Sequence, residues 1–94
     1  MSAFKPTSDE RDTLKKIVEK YAHDPTKSQL LSRLEEDGAD FTPGGPEWKH
    51  LKFCVEQNHL HMQTEVRRDP KKKSAKLQLQ KADTLVRRFN PNFS

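Results

Sequence analysis

The chain has 94 residues but only one cysteine, three glycines, one tryptophan and one tyrosine. A single cysteine excludes an internal disulfide framework. No apolar run is long enough to span a bilayer, and Met1-Ser2-Ala3-Phe4-Lys5 carries no apolar signal region. Serine at position 2 rules out N-myristoylation. Asn92-Phe93-Ser94 reads as a glycosylation sequon, which carries no weight without a secretory signal. Gly44-Gly45 is no phosphate loop, because the Gly-x-x-x-x-Gly-Lys pattern is missing and no strand precedes it. These absences lead to the expectation of an intracellular protein, nuclear or cytoplasmic, with no membrane partner and no cofactor.

Apolar residues are sparse too. Leu, Ile, Val and Phe number 19, close to the fraction at which chains stop folding. A net charge of only +4 favours folding. The expectation is one small domain over residues 1–94 with a thin core, of the kind that a homodimer partner or a ligand completes.

Charge is unevenly distributed. Residues 1–66 hold 9 Lys/Arg and 12 Asp/Glu, a net of −3, whereas residues 67–94 hold 9 and 2, a net of +7. An asymmetry of this size points to an anionic partner for the C-terminal third.

Four helical patterns follow in order. Thr7-Ser8-Asp9-Glu10 has the form of a capping box, and Leu14, Ile17, Val18, Tyr21 and Ala22 repeat with helical spacing behind it, predicting a helix over 7–23. Asp24-Pro25 suits an N-cap and first helical residue, predicting a second helix over 24–37 with Leu30, Leu31 and Leu34 on its apolar side and Gly38 as its stop. The short connection implies that these two helices pack side by side. A loop follows, with Phe41 expected to pin it to the core.

Pro46 suits the first position of a long helix, and Asp69-Pro70 ends it. Trp48, Leu51, Val55, His59, Met62 and Val66 share one side of this 46–68 segment, with Cys54 and Asn58 on the flank. Phe53 and Leu60 sit on another side, where a second helix is expected to cover them. A last helix is predicted over 73–89, with Ala75, Leu79, Ala82, Val86 and Phe89 on one face, Leu85 beside it and Leu77 pointing elsewhere. Residues 90–94 are expected to form a loose tail. The expected fold class is therefore all-α, a small bundle of about four helices with a long central helix and a basic C-terminal one.

The strongest functional signal is the cationic run. Arg67, Arg68, Lys71, Lys72, Lys73 and Lys76 lie close together, and Lys81, Arg87 and Arg88 extend it. Each cation that meets a phosphate releases condensed counterions, and arginine adds bidentate hydrogen bonds. A solvated helix face and a nuclear-localisation signal are the competing readings. No aromatic side chain interleaves the run, so backbone contact is expected rather than a stacking platform. The primary expectation is a non-enzymatic nucleic-acid-binding domain, of RNA or DNA, contacting phosphates through Arg67, Arg68, Lys71, Lys72, Lys73, Lys76, Arg87 and Arg88. The alternative is an adaptor or regulatory module for an acidic protein partner, anchored by Phe53, Leu60 and Leu77 and steered by the same cations.

Catalytic and metal chemistry are weakly signalled. His50 and Cys54 stand one helical turn apart, but two ligands do not make a metal site, and His61 lies roughly 10 Å further along the axis. A zinc ion would require others, such as His23. Cys54 has His50 as a conceivable base but no orienting group. Glu35, Glu36, Asp37, Asp40 and Glu47 read as solvated acids at a helix end and in a loop.

Overall fold

In the computed structural model, which describes residues 3–36 and 38–90, the chain is all-α. Four helices follow one another: α1 (Ser8–Tyr21), α2 (Thr26–Glu35), α3 (Pro46–Arg68) and α4 (Lys73–Phe89). The chain divides into two compact units, Met1–Cys54 and Val55–Ser94, with the boundary inside α3.

In the first unit, α1 begins as its sequence dictates. The Thr7 N–H donates to Glu10 Oε1 at 2.9 Å, and the Glu10 N–H donates to Thr7 Oγ1 at 3.2 Å. Asp9 and Glu10 lie at the positive end of the helix dipole. The helix ends at Tyr21, two residues before the predicted boundary, because Ala22 is extended at φ −90°, ψ 158°. The start of α2 also differs from expectation. Pro25 adopts helical angles at the N-cap position and no side chain caps it. Asp24 instead accepts a hydrogen bond from the Ser28 hydroxyl at 2.7 Å. α2 ends at Glu35, short of the predicted 37 and before Gly38 is reached, because Glu36 is already extended at φ −73°, ψ 128°; Gly38 takes φ +73° in the loop that follows. Asp37, the predicted last residue of α2, lies outside the described residues.

α1 packs on α2, burying Leu14, Ile17 and Val18 from the first and Leu30 and Leu34 from the second. The loop after α2 is held from the inside. Phe41 is 1% exposed and its backbone pairs with Phe4 in a two-residue antiparallel bridge, both N–H···O bonds measuring 2.8 Å. Phe4 and Pro6 are buried in consequence. Arg33 holds the loop from the outside. Its Nε donates to Glu47 at 3.1 Å, one terminal nitrogen to Glu36 at 3.0 Å and the other to the Asp40 carbonyl at 2.7 Å, while its guanidinium lies over the Phe41 ring. The Glu47 carboxylate is the main reason its pKa is raised, against a smaller effect of burial. Glu36 and Glu47 are thus paired rather than simply solvated.

In the second unit, α3 ends at Arg68 and the chain reverses through Asp69-Pro70-Lys71-Lys72. The Lys72 N–H donates to the Asp69 carbonyl at 3.2 Å, with proline at the second turn position. α4 then buries Ala75, Ala82, Leu85, Val86 and Phe89, and the second half of α3 buries Val55 and His59. The His59 Nε2 lies 3.4 Å from Asp83 Oδ1, joining the two helices, and Arg87 approaches Asp83 Oδ2 at 3.2 Å. The predicted loose tail falls, apart from Asn90, outside the described residues.

The predicted stripe of α3 is narrower than expected: Leu51, Cys54, Val55 and His59 are buried, whereas Trp48, Met62 and Val66 are half-buried. The expectation that a second helix covers Phe53 and Leu60 is overturned, since each is 57% exposed. The period had separated these two residues from the buried face, but period alone does not say whether a neighbour exists.

Replacing Phe41 by Ala is expected to cost about 3–5 kcal/mol in urea unfolding, the range for truncating a buried phenylalanine. Phe53→Ala should change stability by less than about 0.5 kcal/mol, the surface range.

Candidate functional site

All eight cations singled out in the sequence lie in the second unit, and all are exposed. Arg67 and Arg68 occupy the last turn of α3, where they complement the negative end of its dipole. Lys71 is in the turn, Lys72 stands at the N-cap of α4, and Lys73 is its first residue. Lys76, Arg87 and Arg88 follow on α4. At about 100° per residue, Lys73, Lys76, Lys81, Arg87 and Arg88 fall in one arc opposite the buried face, with Leu77 inside it. From Lys73 to Arg88 this face runs roughly 22 Å along the axis.

Few of these charges are neutralised. Arg87 pairs with Asp83, and Arg68 lies 3.9 Å from Glu65. Arg67, Lys71, Lys72, Lys73 and Lys76 form no ion pair with any described residue.

The start of α4 is unusual for its electrostatics. A helix N-terminus presents unpaired N–H groups and partial positive charge, which acidic and hydroxyl side chains normally satisfy. Here no acid lies in the first turn, no side chain caps it, and lysines fill positions 71–73. The dipole and the lysines repel, and both favour an anion at that point.

The apolar residues of the alternative reading are also exposed. Leu60 and Leu77 belong to the second unit at 57% and 54% exposure, and Phe53 belongs to the first.

The first unit contains a separate pocket of about 240 Å³ near the α1–α2 connection. Tyr21, His23, Asp24, Thr26, His50 and Phe53 line it, with Cys54 at its wall. Sequence reasoning paired His50 with Cys54 and suggested His23 as a third ligand. These three do face one pocket, yet among the described residues no three His, Cys, Asp or Glu side chains converge closely enough to hold a metal. The Tyr21 hydroxyl, unnoticed in the sequence, is buried and has no hydrogen-bond partner among the described residues. Such an orphaned group costs about 1–3 kcal/mol.

Cys54 is 2% exposed, and burial raises its thiol pKa. It is therefore protonated at neutral pH, which makes it a poor nucleophile. His61 lies 3.6 Å from Glu65, on exposed surface. No helix of the described residues is long and apolar enough to cross a membrane.

No known protein family, curated protein or solved structure matches this chain.

Cys54 should react with a thiol reagent at neutral pH far more slowly in the folded protein than in denaturant. Because the folded thiol titrates above the unfolded one, the unfolded state loses its proton first. This contribution to stability falls as pH rises through the ordinary thiol range of about 8–9. Unfolding curves of Cys54→Ala should lack that component.

Proposed function

We propose that the chain is a non-enzymatic nucleic-acid-binding domain that holds phosphates with Arg67, Arg68, Lys71, Lys72, Lys73, Lys76, Arg87 and Arg88. The observation that carries this reading is the exposed, largely unneutralised cationic surface around the uncapped start of α4. A solvated face that served only solubility would be expected to intersperse both signs. Here nine Lys/Arg stand against four Asp/Glu in residues 55–94. The interaction is led by the phosphate backbone, since no aromatic ring interrupts the cations. Lys71, Lys72 and Lys73 meet phosphate at the helix N-terminus, and Arg67 and Arg68 add forked donors beside them. Lys76, Arg87 and Arg88 extend the contact along α4.

A second reading draws on the exposure of Leu60 and Leu77. In it the same cations steer an acidic protein partner onto these two side chains of the second unit. The two readings part on generic nucleic acid, which only the first must bind.

Fluorescence anisotropy with labelled single-stranded RNA and duplex DNA tests the first reading. The expected plot of log K against log salt is linear, with a slope between about −3 and −7 for four to eight phosphates. Replacing Lys71, Lys72 and Lys73 together by Gln should weaken binding at least tenfold and leave the melting temperature unchanged; an unchanged affinity would refute the assignment. Lys72→Asp separates fold from function more sharply. It supplies the missing cap, so it should raise stability by about 1 kcal/mol while lowering affinity. If it lowers neither affinity nor salt slope, the helix start makes no phosphate contact. Binding to an acidic protein, lost in Leu60→Asp while nucleic acid stays unbound, would favour the second reading.

A further inference from the structure

We propose that the pocket of the first unit accepts one unstacked nucleobase from a single strand, an inference that rests on the nucleic-acid reading above and deepens it. Its volume, about 240 Å³, exceeds the roughly 150 Å³ cavity that holds benzene and falls below the range of drug-sized ligands, about 300 Å³ upward. A single planar ring system is the ligand of matching size.

The wall chemistry narrows the class. Phe53 lines the pocket and remains 57% exposed, so its ring is open to stacking, an interaction every base offers. Tyr21 also lines the pocket; its hydroxyl is buried, so it adds ring surface to the wall and no polar contact. Asp24 uses Oδ1 to accept from Ser28, which leaves its second oxygen for an amino group. Thr26, His23 and His50 add groups that donate or accept. A carboxylate in the wall repels phosphate. The ring therefore enters and the backbone stays outside, the arrangement by which single-stranded nucleic acid is read.

This surface differs in kind from the cationic one. The lysines and arginines respond to phosphates whether or not bases are attached. The pocket responds to the ring. An oligonucleotide stripped of bases separates the two contributions, because it keeps the phosphates and loses the rings.

The experiment compares anisotropy of two labelled single-stranded DNA oligomers of about ten nucleotides, one adenine-bearing and one abasic throughout. The adenine-bearing strand is expected to bind about 5- to 150-fold more tightly, the range for stacking one base. Phe53→Ala should reduce that preference to near unity and leave the affinity for the abasic strand unchanged. Phe53→Ala alters an exposed side chain, so its melting temperature should equal that of the parent and lost preference cannot be ascribed to unfolding. Equal affinity for the two strands, or a preference that survives Phe53→Ala, overturns the pocket assignment and leaves the phosphate reading standing. Failure of both strands to bind at low salt overturns both.

Discussion

The first unit depends on one guanidinium. Arg33 reaches Glu36, the Asp40 carbonyl and Glu47 together, while resting over Phe41. Between α2 and α3 the described residues form turns and extended chain rather than helix, and Gly38, Gly44 and Gly45 raise the entropy lost in fixing them. Arginine's planar fork meets several acceptors at little further loss of freedom, which a lysine would not do. With the loop fixed, Phe41 can fill the core and its backbone can pair with Phe4. A second arginine reinforces the same junction, as Arg11 donates to the Glu36 carbonyl at 2.9 Å. Glu36 and Glu47 are thereby engaged with an arginine of their own unit.

The second unit treats its charges differently. α1 and α4 are a controlled comparison within one chain. α1 opens with a capping hydroxyl and two acids, whereas α4 opens with lysines and no cap. The absence of a cap, and cations at the positive end of a dipole, each cost a helix a fraction of a kcal/mol to about 1 kcal/mol. In a chain with so thin a core, that cost is a real share of the stability. Sequences that break a local rule without structural compensation tend to do so at functional positions. Among the described residues no side chain caps this helix start and no acid lies in its first turn; Asp69 gives its backbone carbonyl to the turn.

What the sequence made legible follows from how local each signal was. The bounds of α3 and α4 could be read because Pro46, Asp69-Pro70 and Asn90-Pro91 act on their immediate neighbours. The capping box at Thr7 is equally local, whereas α2 ends at Glu35, before the glycine expected to stop it. The start of α2 was misplaced because Asp24 had two short-range options, capping the helix or accepting from Ser28, and the sequence does not rank them. Phe53 and Leu60 were misjudged for another reason: helical period assigns a face but not its neighbour. The Arg33 cluster joins residues as much as 14 positions apart, and the Phe4–Phe41 bridge spans a longer separation still, so neither leaves a periodic trace. The cationic run was legible as composition. The unpartnered Tyr21 hydroxyl was not, since its neighbours come from the fold.

Binding and folding should therefore be linked at the start of α4. An anion seated there supplies what a capping side chain would: acceptors for the free N–H groups and negative charge at the dipole's positive end. It also screens Lys71, Lys72 and Lys73 from one another. A ligand that binds only the folded state stabilises it by RT ln(1 + [L]/Kd), about 2.7 kcal/mol at a hundredfold excess over Kd. That exceeds the missing cap's cost of about 1 kcal/mol. If phosphate is held there as proposed, the weakness of this helix start and an affinity for anions would be one property, because the charges that destabilise the empty turn are those that would meet the ligand.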